Sequence, residues 1–264
     1  MGMGQILEGL KVSGKKAIVP YLVAGFPSLQ ESLQLLLQLQ NRGATALEVG
    51  IPFSDPVADG PVIQKAHTLA LQRGVTPGRI LRALKELRSE LRIPIILMTY
   101  YNPIFRLGEE RFAREAKEAG VSGVIVPDLP PEEAHRWIKA SRSQDIDTVF
   151  LVAPNTPEER VRKIARVTTG FLYYLSLKGV TGSRIRDLQE VRERVEGIKR
   201  IVDLPVYVGF GIKEPWEVEE IAKGADGIIV GSSLLYALQE GGSGAMVELF
   251  ERLHAPLKAL CLKR

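Results

Sequence analysis

Short apolar runs alternate with longer stretches of helical period from one end of the chain to the other. The runs predict strands over Ala17–Val23, Ala46–Gly50, Ile95–Thr99, Gly123–Val126, Thr148–Val152, Phe171–Leu175, Val206–Gly209 and Gly227–Val230. Most are continuous in Val, Ile and Leu rather than alternating with polar residues, as parallel strands covered on both faces require. Between them the 3.6-residue period predicts amphipathic helices over Ser28–Leu39, Arg79–Glu90, Glu109–Ala119, Pro131–Ser141, Pro157–Val167, Leu188–Ile201 and Glu214–Lys223. Ser28 suits an N-cap and Pro131 a first turn, while Gly43, Gly120 and Gly224 stand where helices would stop before the next strand. A doubly wound open sheet would use the same alternation. Eight units with no linker or compositional break favour closure into an α/β (β/α)8 TIM barrel, one domain over residues 1–264.

Size and composition agree with that reading. The chain has 264 residues, 45% of them apolar, and one such barrel takes about 250 residues. No apolar run is long enough to span a bilayer, and the start, Met1-Gly2-Met3-Gly4-Gln5, lacks the basic and apolar regions of a secretory signal. The net charge of +4 could suggest nucleic acid. In Arg79–Glu90, however, basic and acidic residues share one polar helix face, which is a solvated surface rather than a phosphate-tracking stripe. Neither a nucleic acid nor a membrane is expected as a partner. The single cysteine, Cys261, excludes an intramolecular disulfide and fits a reducing, cytoplasmic setting. His67, His135 and His254 are scattered without ligand spacing, so no metal site is expected.

A barrel carries its chemistry on the loops after its strands, and those loops are the most unusual parts of this sequence. After strand two the chain runs Glu48-Val49-Gly50-Ile51-Pro52-Phe53-Ser54-Asp55-Pro56-Val57-Ala58-Asp59-Gly60-Pro61. Glu48 lies inside an apolar strand, where a carboxylate must be paired or have its pKa raised, and a raised carboxyl can act as general acid and base. A buried glutamate tied to an arginine or a backbone amide is the structural alternative. Asp59 before Gly60 is equally compatible with a turn or a site, and three prolines would stiffen the loop. After strands seven and eight, Gly209-Phe210-Gly211 and Gly231-Ser232-Ser233, followed by a short helix over Leu234–Leu238, could cradle an anion on backbone N–H groups or could be two tight turns. The stretch Leu177–Arg186 has the composition of a lid, or of an exposed connection. Tyr100–Phe105 is unusually rich in large apolar residues for a loop, which suits a site wall, a partner surface or a packed connector.

These segments resemble the alpha chains of tryptophan synthase along essentially the whole sequence. Leu47–Gln64 is the most specific stretch, joined by Met98–Phe105, Val126-Pro127-Asp128-Leu129-Pro130, Gly179-Val180-Thr181-Gly182, Gly209-Phe210-Gly211 and Gly231-Ser232. The resemblance implies a lyase of tryptophan biosynthesis that cleaves indole-3-glycerol phosphate by a retro-aldol step. Glu48 would be the main acid–base group and Asp59 its partner at the indole nitrogen. Tyr173 would stand near the carboxylates, Tyr21, Tyr100 and Phe210 would line the indole pocket, and Gly182, Gly211, Gly231 and Ser232 would hold the phosphate. Thr181 would meet the aspartate when the lid closes. No cofactor is implied in this chain. Pyridoxal phosphate would belong to a beta chain, with which an α2β2 heterotetramer is expected, docked on Asp55, Pro56, Asn102–Phe105, Pro130 and Pro131 with Ile104 and Phe105 as exposed anchors. One departure is Gly25-Phe26-Pro27, where the resemblance leads one to expect Gly-Asp-Pro. Three other readings stay open: a Schiff-base aldolase using Lys178, a non-catalytic activator of a beta chain, and a free-standing lyase that releases indole.

Overall fold

The computed structural model describes residues 3–176, 188–209 and 211–262. In chain order its elements are α1 (Met3–Val12), β1 (Ala17–Val23), α2 (Leu29–Asn41), β2 (Leu47–Gly50), α3 (Pro61–Gln72), α4 (Pro77–Leu87), β3 (Ile95–Met98), α5 (Tyr101–Leu107), α6 (Glu109–Glu118) and β4 (Val121–Ile125). Then follow α7 (His135–Arg142), β5 (Asp147–Val149), β6 (Leu151–Val152), α8 (Glu158–Val167), β7 (Leu172–Leu175), α9 (Leu188–Lys199), β8 (Val206–Gly209), α10 (Pro215–Ala222), β9 (Gly227–Val230) and α11 (Ser232–Leu262).

The strands pair in parallel in the order β5-β4-β3-β2-β1-β9-β8-β7-β6. The two ends of this order are one stretch of chain, because β5 and β6 are separated only by Phe150. Its carbonyl accepts a hydrogen bond from the Tyr173 N–H at 3.1 Å, so pairing continues across the gap. Counted as chain passages, the nine segments are eight strands, and the sheet closes on itself as a barrel. Burial follows from closure: β1, β2, β3, β8 and β9 are buried at every position.

Seven of the eight predicted strands appear with boundaries within two residues, and the remaining one is interrupted at Phe150. The Ser28 cap is formed, its hydroxyl accepting from the Glu31 N–H at 3.1 Å. Gly43 and Gly120 take positive φ at helix ends, whereas Gly224 does not. Several expectations need correction. Helix α7 starts at His135, not Pro131: Glu133 and Ala134 donate to the carbonyls of Pro130 and Pro131 in turns first, since successive prolines lack N–H groups and disfavour helical backbone before them. The segment after β3 is helix α5 rather than a loop, and within it Ile104 is fully buried while Phe105 remains exposed. Helices α1 and α3 were not predicted. The stretch over Leu234–Leu238 is the opening of α11, which bends at Gly242, where φ is 74°.

Helix α1 packs against the barrel through buried Met3 and Leu7. The Met3 methyl lies in the space left by Gly123 and Gly170, where a Cβ would collide with it. A similar fit holds nearby. Phe171 and Tyr207 stack with centroids 4.3 Å apart, and a Cβ on Gly227 would come within 2.7 Å of the Tyr207 ring. Tyr207 is surrounded by core and cannot swing to solvent. Gly227→Ala is therefore expected to destabilise the barrel by about 1–3 kcal/mol through overpacking, measured as a lower denaturant midpoint with an unchanged slope.

Candidate active site

Glu48 is the second residue of β2 and stands level with Tyr21 of β1 and Ile96 of β3. Strand alternation turns Glu48 and Gly50 to one face and Leu47 and Val49 to the other. Gly50 is needed without a side chain, because the Tyr21 hydroxyl occupies the place of its Cβ. Tyr173 of β7 covers Gly209 of β8 in the same way. Each tyrosine ring at the barrel mouth thus lies over the glycine that ends the next strand of the sheet.

The segment after β2 folds back on itself through Val57 N–H to the Asp55 carbonyl at 2.9 Å and Asp59 N–H to the Pro56 carbonyl at 3.0 Å. Gly60 then caps α3 and Pro61 supplies its first residue, a position that needs no N–H. The Gln64 side-chain amide donates to the Asp59 carbonyl at 2.8 Å, fixing the aspartate at the start of this helix. Tyr100 completes the support: its hydroxyl donates to Asp59 Oδ2 at 2.8 Å and accepts from the Ala58 N–H at 3.0 Å. Its ring stacks on Phe53 with centroids 5.0 Å apart.

Glu48 and Asp59 are each 1% exposed. Burial, reinforced by the negative charge of Asp59, raises the Glu48 pKa from 4.5 to about 8. Glu48 Oε2 and Asp59 Oδ1 have no hydrogen-bond partner among the described residues. Among the described residues no arginine or lysine pairs with either carboxylate, and the one basic side chain within 4 Å of Asp59 is His67. Among the described residues Glu48 is therefore not tied to an arginine. Burial also pushes the hydroxyls of Tyr21 and Tyr173 well above the usual phenol pKa, an effect strengthened by the two carboxylates. These hydroxyls stay protonated.

The loops after β8 and β9 meet beside this group. Gly211 has φ 79°, a left-handed conformation that favours glycine. The Gly231 carbonyl accepts from the Leu235 N–H at 2.9 Å and so opens α11, leaving the N–H groups of its first turn without acceptors inside the helix. The Ser233 hydroxyl donates to the Ile212 carbonyl at 2.8 Å and ties that first turn to the neighbouring loop. A cavity of about 20 Å³, enough for one water-sized group, lies between Tyr21, Glu48, Asp59, Tyr173, Gly231 and Ser232. Ile63, Met98 and Ile229 complete its apolar wall. A larger hollow of about 670 Å³ lies beside the N-terminal ends of β3 and β4 and is rimmed by exposed Arg88, Arg92 and Arg142. Size does not locate the chemistry here; the paired buried carboxylates do.

Six of the residues singled out from sequence therefore share one cavity. Tyr100 supports Asp59 through its hydroxyl and is not among the residues lining that cavity. Gly211 lies in the loop after β8. Thr181, Gly182, Phe210 and Lys178 lie outside the described residues, as does the stretch read as a lid. Phe26, in place of the expected aspartate, is buried in the core, while the adjacent Gly25 N–H donates to the Ser32 hydroxyl at 3.0 Å. The residue that sequence reasoning missed is His67, buried 3.4 Å from Asp59 Oδ2. Its signal was a polar side chain on the buried face of α3, in period with Ile63, Ala66 and Ala70.

Comparison with known proteins gives the family. The family model described as tryptophan synthase alpha chain matches residues 7–259. The tryptophan synthase alpha chain of Prochlorococcus marinus (strain MIT 9313) is 46% identical over 242 residues, covering 91% of this chain and 88% of the relative. That of Geotalea uraniireducens (strain Rf4) is 43% identical over 250 residues, covering 95% and 94%. Among solved structures, tryptophan synthase subunit alpha from Legionella pneumophila superposes with a TM-score of 0.90 at 36% identity, covering 98% of this chain and 99% of that one. A tryptophan synthase structure from Mycobacterium tuberculosis gives a TM-score of 0.90 at 36% identity over 97% of both chains. A closed parallel barrel with two buried carboxylates at its mouth, matched over nearly its whole length by these relatives, belongs to the tryptophan synthase alpha chain family.

Proposed function

We propose that Glu48 and Asp59 are the two carboxylates with which this chain performs the reaction of its family, the cleavage of indole-3-glycerol phosphate to indole and glyceraldehyde 3-phosphate in tryptophan biosynthesis. The observation that carries the assignment is the raised pKa of Glu48 beside a second buried carboxylate. Glu48 holds a proton at neutral pH and donates it to the ring carbon that bears the glycerol chain. The ring then carries positive charge at nitrogen, and Asp59 stabilises it by accepting the indole N–H. Glu48, now a carboxylate, removes the proton from the adjacent glycerol hydroxyl. The O–H electrons form the aldehyde carbonyl, and the electrons of the breaking carbon–carbon bond return to the ring and neutralise the nitrogen. Both carboxyl groups end as they began.

Tyr21, Tyr173 and the apolar wall of the cavity exclude water from this exchange, which strengthens the electrostatic effect of Asp59. The substrate phosphate would lie on Gly211, Gly231, Ser232 and Gly182, with Phe210 and Tyr100 toward the indole and Thr181 reaching Asp59 from the lid. These steps use side-chain carboxyls alone, and a cofactor in this chain is not part of the proposal. Pyridoxal phosphate belongs to the beta chain that we propose as partner in an α2β2 complex, in a cytoplasmic setting. Among the described residues no helix is long and apolar enough to cross a membrane.

Glu48→Gln should lose nearly all turnover while binding an unreactive indole-alkyl phosphate within a few-fold of wild type. The same variant tests the pKa. A carboxyl raised from 4.5 to about 8 in the folded chain favours folding below its unfolded pKa, and that contribution is lost as pH rises toward 8. The wild type should therefore lose stability from about pH 5 to pH 8.5, whereas Glu48→Gln should lose less and melt about a few degrees higher than wild type at pH 8.5. Parallel melting curves across that range would leave the raised pKa unsupported.

Ser232→Asp puts a negative charge in the first turn of α11, a position that suits aspartate in a helix but not beside a bound anion. Affinity for glycerol phosphate should fall about tenfold or more, by like-charge repulsion in a partly buried site. Affinity for free indole should stay within a few-fold, as isothermal titration would register.

Val57, in the segment that holds Asp59, and Phe105, in α5 after β3, are 73% and 60% exposed. Large exposed side chains on such segments suit a partner surface. Phe105→Asp should abolish the stimulation of this chain by a beta chain while leaving its basal activity unchanged, and sedimentation of the mixture should show separate subunits.

A further inference from the structure

We infer that His67 is a positioning residue for Asp59, holding one carboxylate oxygen so that the other is presented to the indole nitrogen. His67 lies on the buried face of α3. The Phe53 N–H donates to its Nδ1 at 3.2 Å, so Nδ1 is an acceptor and the neutral ring carries its proton on Nε2. That Nε2 lies 3.4 Å from Asp59 Oδ2 and has no hydrogen-bond partner among the described residues. A buried N–H without an acceptor is unfavourable, and a small rotation of the carboxylate would satisfy it. Contacts of this kind are often long before substrate arrives and shorten in the reacting complex.

Asp59 and the three residues Phe53, His67 and Tyr100 form a closed circuit. Phe53 meets His67 through its backbone, His67 faces Asp59 Oδ2, Tyr100 donates to that same oxygen at 2.8 Å, and the Tyr100 ring returns to Phe53 by stacking at 5.0 Å. Both donors address Oδ2. Asp59 Oδ1 has no partner among the described residues. A carboxylate pinned by one oxygen keeps the other in place to accept an N–H. Because the donors are a phenol and a neutral imidazole rather than an arginine, the negative charge remains available to the positive charge that develops on the ring. His67 also joins the start of the segment, at Phe53, to its end, at Asp59, so loop conformation and carboxylate orientation are set together.

This inference rests on the reading of Asp59 as the group at the indole nitrogen, and the experiment separates the two. His67→Asn retains an acceptor for the Phe53 N–H but no donor that reaches Asp59, whereas His67→Gln returns a donor near the Nε2 position. His67→Asn is expected to lower kcat on the order of 10- to 100-fold with KM within a few-fold, as misorientation of a reacting group does, and His67→Gln is expected to recover most of it. Equal losses in both variants, a loss confined to KM, or wild-type kcat in His67→Asn would overturn the role of His67. Asp59→Asn is assayed beside them: if it keeps near-normal turnover, the reading of Asp59 falls and this inference with it. The wild-type protein supplies a check that does not depend on folding of a variant. Nitrogen-15 spectra should show His67 as the Nε2–H tautomer, with its proton moving downfield when an unreactive indole-alkyl phosphate binds. An Nδ1–H tautomer in the bound state would exclude the proposal.

Discussion

Closure of the parallel sheet is the constraint on which the rest of the structure depends. A ring of strands has no edge, so every backbone group inside it is paired and the inward side chains must fill a fixed space. The join is made by a short interrupted passage, β5 and β6, with the Phe150 carbonyl bridging to β7. Once the ring is closed and covered by helices, polar chemistry is left to the strand ends. Asp59, Gly211 and Ser232 lie beyond the C-terminal ends of β2, β8 and β9, and Glu48 lies two residues before the end of β2.

Within that frame the electrostatics are set by exclusion of water rather than by a strong counter-charge. Glu48 and Asp59 share a buried site with no arginine or lysine paired to them among the described residues. Two neighbouring carboxyls in such a place cannot both ionise freely, and the proton goes to the one whose surroundings provide least compensation. Asp59 has Tyr100, His67 and the start of α3 around it, while Glu48 has the apolar barrel and the Asp59 charge. In the proposed reaction this asymmetry lets Glu48 serve as the acid and Asp59 as the group that faces the ring nitrogen.

The tyrosines and glycines at the mouth are equally interdependent. Tyr21 and Tyr173 lie across Gly50 and Gly209, and the space they occupy exists only because those positions lack side chains. Gly231 faces Tyr21 closely enough that a Cβ would sit 3.0 Å from its ring. The glycines that leave backbone open to an anion on one side therefore seat the aromatic wall on the other. In the proposed reaction this double use lets one compact region serve both the aromatic and the phosphorylated end of the substrate.

Much of this was legible in the residues themselves. Continuous Val, Ile and Leu runs at regular spacing marked the strands, since burial on both faces leaves no other composition, and Glu48 stood out as the ionisable residue within such a run. Resemblance in Leu47–Gln64 added Asp59, whose Asp-Gly context alone was compatible with a simple turn. Helices α3 and α5 escaped notice because they follow proline-rich or aromatic segments whose local propensity favours loops, and packing on the barrel overrides it. With α3 unseen, His67 was one of three scattered histidines; only the helix period, counted from Pro61, turns it toward Asp59. The burial of Ile104 beside the exposure of Phe105 was hidden for the same reason, as adjacent residues point apart only once the helix is known. By itself the sequence determined the alternation of elements, the barrel class and the chemistry available at each strand end, because these follow from local pattern and residue type. The tertiary structure decided which carboxyl is buried with its pKa raised and which side chains surround the other, because burial and distance between segments far apart in the chain exist only after the ring has closed.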